Sequence, residues 1–287
     1  MLESIIFPKE GERKPWKLFL IGLLYSSLSF LIVTLIFSRD VVLSRYSGLL
    51  IVMFSVLFSI FFVHYTIKLD EKENIKDKSE KKALIDDWKI LSMFLWLFIG
   101  LVIGFSFWQI VAPSIVSFNA QMETYCVINK PIQYVECVDK YKLEELIGGI
   151  ESSPKGNFGL IFANNIYVLI FVLAFSLIFG AGAIFIIAWN ASIISTVISY
   201  SIKYRITHLP SGLLRFMVHG LPEIAGYFVA AMAGGMMSLA LSSFIRKNLS
   251  KDNLLKVMQR ALYLIIIAII LLVIAALIEI FITPLFF

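Results

Sequence analysis

Residues 18–37 read LFLIGLLYSSLSFLIVTLIF, twenty positions without a charged side chain. At 1.5 Å rise per residue such a run makes a helix of about 30 Å, the thickness of a bilayer's hydrocarbon core. It is longer than the apolar core of a signal peptide and has no small-residue cleavage pattern after it, so an uncleaved span is expected. The rest of the chain repeats this motif. Of its 287 residues 59% are hydrophobic, and the mean hydropathy is +0.88. That composition lies far from ordinary soluble domains.

The 25 Lys and Arg residues are segregated. They gather before the first run, at Arg39 and Arg45, and within 68–89, 113–160, 203–215 and 244–260, leaving the long apolar interiors free of them. A charge at the centre of a bilayer costs about 3 kcal/mol on insertion scales, so lipid would select this pattern. The sequence pI near 9.1 is therefore read as juxtamembrane charge and not as a nucleic-acid footprint. The expectation is an all-α, polytopic helical membrane protein in the cell membrane.

Spans are read near 18–37, 46–67, 90–112, 160–180, 183–202, 219–243 and 262–284. From Gly156 to Ile202 no side chain is ionised. One helix of that length would reach about 70 Å, more than twice the core thickness, so it must break. Gly180 and Gly182 offer a tight turn; Asn190 offers a later break that would leave a short interfacial helix and six spans. The positive-inside rule favours seven spans with the N-terminus cytoplasmic, because that arrangement leaves more Lys and Arg inside.

Three regions follow: a two-helix hairpin (1–67), a charged cytoplasmic connector (68–89), and a five-span domain (90–287) with an extracytoplasmic loop at 113–160. The connector carries seven lysines and seven acids, the pattern of a solvated helix with i,i+4 pairs. Cys126 and Cys137 share the outer loop, which points to a disulfide.

The remaining polar residues converge in depth. Under the seven-span order, Asn164 and Asn165, His219, Glu223 and Glu279 all fall near the outer ends of their helices. Steps of three and four residues from Glu223 lead to Gly226, Ala230 and Gly234, a small-residue face on which membrane helices approach closely. Glu223 is thus expected against protein. The bland alternative is that Pro222 and Glu223 open a helix, where the dipole favours an acid. No HExxH, GxSxG or convergent metal set appears, so neither a metal, a cofactor nor an enzyme is expected.

The order Asn164-Asn165, a Gly-Ala turn at 180–183, Asn190, His219-Gly220-x-x-Glu223 and Ile278-Glu279-x-x-x-Thr283-Pro284 resembles the stage II sporulation protein M family over about 90–287. Asn190-Ala191 departs from the Asn-Gly of that pattern, and the first two spans are additional to it. The resemblance implies a five-span membrane fold. It also implies a non-enzymatic role, since in spore-forming bacteria the family member organises cell-wall hydrolases during engulfment. Relatives occur in organisms that never sporulate, archaea among them.

Three functions compete at this stage. An organising membrane scaffold would have membrane or extracytoplasmic protein partners, a second copy of the chain included. A transporter or channel would use Glu223 and Glu279 on a small solute or ion. An intramembrane hydrolase lacks an identifiable nucleophile.

Overall fold

The computed structural model describes residues 15–37, 39–40, 42–74, 80–112, 118–129, 158–179, 183–204 and 209–282. Seven long helices and one short one account for most of them: α1 (Lys17–Phe37), α2 (Ser47–Asn74), α3 (Glu80–Val111), α4 (Asn119–Asn129), α5 (Phe158–Phe179), α6 (Ala183–Tyr204), α7 (Leu209–Ile245) and α8 (Lys251–Leu277). The last continues as a π-helical turn, Ile278–Ile282. Among the described residues there is no strand, and the chain is an all-α polytopic membrane protein.

Local chemistry sets the helix ends. Asp40 Oδ1 accepts from the backbone N–H groups of Val42 and Leu43, at 2.9 and 2.8 Å, which starts the single 3-10 turn before α2. At the end of α7, Asn248 N–H reaches Ser243 O and Lys247 N–H reaches Phe244 O, both at 2.9 Å. This is a Schellman closure with Lys247 in the left-handed conformation, φ 60°, that glycine usually supplies. Ser250 then caps α8 by accepting from Asn253 N–H at 3.3 Å.

Among the described residues five helices are apolar for long enough to cross a bilayer, and the described parts of α5 and α6, 161–177 and 184–199, are apolar as well. Helix direction resolves their role. Gly234 of α7 lies against Leu173 and Ser176 of α5; one turn on, Ser238 donates to Leu177 O at 2.8 Å. Both sequences advance together, so α5 and α7 run the same way. The helix joining them, α6, has 22 residues and about 33 Å of rise, enough to carry the chain back across.

Helices α1 and α3 also run in one direction. Gly22 meets the backbone of Leu97, Gly100 and Leu101; Gly104 meets Ser26; and Trp108 Nε1 donates to Ser27 Oγ at 2.9 Å. Helix α3 meets the second half of α6, with Gln109 Nε2 donating to Ser195 Oγ at 2.8 Å and Ser199 Oγ to Ser106 O at 3.3 Å.

At the centre stands α6, packed by α2, α3, α4 and α7. Its serines and threonine turn back onto their own helix: Ser195 and Thr196 both donate to Ser192 O, and Ser199 donates to Ser195 O. Such bonds hide hydroxyls within an apolar bundle. Phe228 of α7 meets the rings of Phe94 and Phe98 edge-on, at 6.1 and 5.8 Å, which ties the first half of the bundle to the second.

Two sequence expectations change. Asn190 does not break a helix, because it lies inside α6, where its Nδ2 donates to Ile186 O at 2.9 Å. Helix α5 ends at Phe179 and α6 begins at Ala183, and Gly180 and Gly182 lie outside the described residues. Second, α7 begins at Leu209, ten residues before the expected start. The charged connector extends the second and third spans as its helical pattern implies, with α2 running to Asn74 and α3 starting at Glu80.

Candidate functional site

The early start of α7 removes the bland account of Glu223. Pro222 lies inside the helix, thirteen residues beyond Leu209, and is not its first-turn proline. The helix dipole is felt only within the terminal turns, so it does not explain an acid in mid-helix. Pro222 also lacks the N–H that would return to the carbonyl of residue 218, which leaves a gap in the hydrogen-bond ladder one turn before Glu223.

Glu223 instead has a side-chain partner. Tyr227 Oη donates to Glu223 Oε1 at 2.8 Å. The two residues are four apart, hence on one face, and Tyr227 is buried to 3% exposure. Glu279 lies in the π turn that packs on α7, close enough for its charge to act on both Glu223 and Tyr227. A π turn re-aims the side chains it carries and is frequent at functional positions.

Asn165 enters from α5. It is buried at 4% exposure, and its Nδ2 has no hydrogen-bond partner among the described residues. Its buried face runs through Leu169, Val172 and Ser176, and Ser176 is the residue that meets Gly234 of α7. Asn165 precedes Ser176 by eleven residues, and Glu223 precedes Gly234 by eleven. Eleven residues are close to three whole turns, so on two helices running together Asn165 and Glu223 return to one level. Asn164, its neighbour, faces outward and is exposed. His219 lies on α7 four residues before Glu223; its side chain lies outside the described residues.

The small-residue face of α7 is shared between two neighbours. A Cβ on Gly226 would stand 3.2 Å from Ala268 O and from Leu272 Cδ2 of α8; one on Gly234 would stand 2.5 Å from Ser176 Cβ of α5. Ala230 between them is fully buried. Cys126 is buried on α4, while Cys137, and with it the expected disulfide, lies outside the described residues.

Sequence reading overlooked several residues. Tyr227 was findable as the only polar side chain one turn after Glu223. Gly100 and Gly104, with Gly22 and Ser26 opposite, form a small-xxx-small pair that the surrounding Phe and Ile residues obscure. Gln121 carries no such signal: it is wholly buried on α4, with neither amide atom partnered among the described residues.

A family model of stage II sporulation protein M matches residues 48–284. The chain belongs to the stage II sporulation protein M family. The match begins at α2 and not near residue 90, so the second span belongs to the family pattern and is not additional to it. The packing explains this, since α2 lies against α6 and α7 and is part of the same bundle. Among curated proteins this family member is similar to "Uncharacterized protein MJ0793" of Methanocaldococcus jannaschii. The two are 30% identical over 130 residues, covering 45% of this chain and 71% of that protein. No solved structure matches the chain.

Proposed function

We propose that this protein is a non-enzymatic organising component of the cell membrane, with its N-terminus inside and the 113–160 loop outside, where it meets protein partners. The observation that carries this reading is how α7 uses its polar residues. Glu223 is held by Tyr227 of its own helix, and glycines bring both neighbouring helices against the same stretch of α7. Polar groups placed in a close-packed seam hold helices in register, which is what a scaffold needs. A Cys126–Cys137 disulfide would brace the outer loop, and intact-mass measurement before and after reduction tests it.

Transport is the second reading. The interrupted ladder at Pro222 and the π turn at Glu279 favour it, because irregular helices frame solute sites in transporters. One experiment separates the two. Single cysteines replace Ser211, Glu223, Ser250 and Glu279 in a background lacking Cys126 and Cys137, and intact cells receive a membrane-impermeant thiol reagent. The scaffold predicts labelling at 211, none at 250, and protection at 223 and 279. Labelling at 223 and 279 would mean a wet path to the carboxylates and would replace the scaffold with a transporter.

A further inference from the structure

Two helix irregularities meet at one depth. The ladder gap before Glu223 and the π turn carrying Glu279 occur on helices packed directly against each other. Backbone carbonyls released in this way point sideways, where they can ligate. The described side chains around them offer oxygen: two carboxylates, the Tyr227 hydroxyl and, from α5, the Asn165 amide. An amide's oxygen and nitrogen exchange by a half-turn, so the buried, unpartnered end of Asn165 presents either one.

Charge is the unbalanced quantity. Among the described residues, no Lys or Arg reaches Glu223 or Glu279, and the interactions of Glu223 are with Tyr227 and Glu279. Two half-buried carboxylates within an apolar bundle need compensation. Among the described residues no third carboxylate, cysteine or histidine joins them. The described donors are oxygens, the kind that Ca²⁺ and Mg²⁺ take.

We infer that the α5–α7–α8 seam binds a hard divalent cation through Glu223 and Glu279, with the oxygens of Asn165 and Tyr227 as further donors. The ion neutralises the pair and pins the π turn of α8 to α7. This inference rests on the polar network and not on the organising role, so either can fail alone.

The test uses the full chain in detergent, stripped with a chelator and titrated with CaCl₂ or MgCl₂ against choline chloride of equal ionic strength. The unfolding midpoint is expected to rise by several degrees and to saturate. Glu223→Gln and Glu279→Gln should each lose that response while keeping a midpoint near that of the stripped wild type. Terbium, a Ca²⁺ surrogate excited through nearby tyrosine, supplies a readout on the unaltered chain, with emission that Ca²⁺ displaces and that Tyr227→Phe dims. Three results would overturn the inference: no divalent-dependent shift, a shift that survives in both glutamine variants, or stabilisation by acid alone that divalent ions do not reproduce. Terbium emission indifferent to Ca²⁺ would overturn it as well.

Discussion

Two seams hold this bundle together, one between α1 and α3 and one among α5, α7 and α8. Both rely on glycine for close approach. In the first, Gly22 and Gly100 lie backbone to backbone, and three nearby hydroxyls are engaged: Ser26 donates to Gly22 O, Ser29 to Tyr25 O and Ser55 to Ser29. Trp108, stacked on Phe30 at 4.4 Å, closes that seam by its bond to Ser27. In the second, the same kind of close approach surrounds carboxylates and, among the described residues, an unpartnered amide and hydroxyl, those of Asn165 and Ser176. The first seam's helices have buried unpartnered hydroxyls as well, Thr34 on α1 and Ser106 on α3. What sets the second seam apart is therefore its pair of carboxylates, Glu223 and Glu279.

The comparison can be broken first at Gly100. A Cβ there would run into Phe19 O, and backbone cannot yield as a side-chain tip can. Gly100→Val should cost about 3 kcal/mol, the upper end for overpacking, and be seen as loss of the monodisperse peak in detergent size-exclusion. A well-folded variant would show that the first seam is not rigid.

Gly234 ranks second. Its obstacle is the Ser176 side chain, so Gly234→Ala should cost about 2 kcal/mol, and Ser176→Gly in the same chain should recover about 1 kcal/mol of it in a double-mutant cycle of chemical denaturation. Simple additivity would mean that α5 and α7 do not meet at this point.

Gly226→Ala should have the smallest effect. The 3.2 Å approaches to Ala268 O and Leu272 need only a few tenths of an ångström of relief, and alanine gains about 1 kcal/mol of helix propensity over glycine. The midpoint should stay within a degree or two of wild type. A collapse would make the α7–α8 contact as unforgiving as that of α1 with α3.

Hydropathy and charge made the helices and the membrane legible, because lipid penalises charge at every position along a span. They did not reveal where helices end. The His219-Gly220-Leu221-Pro222 stretch reads locally as a turn followed by a first-turn proline, and Arg215 reinforces a boundary; yet α7 runs through both. Asn190 misled for the related reason that asparagine suits turns, yet in α6 its amide bonds one turn back and the helix continues. The depth of Asn165, Glu223 and Glu279 could be argued from span order alone. Tyr227 could not be given its role without side-chain geometry, since a tyrosine in an apolar helix is more often packing than partner.

Helix α7 has 37 residues and is about 55 Å long, so it exceeds the bilayer core by more than twenty ångströms. Pro222 lies inside it, and the backbone N–H it lacks is missing directly beside Glu223. A rod of that length must tilt or project beyond the hydrocarbon, and its ladder is interrupted next to the carboxylate.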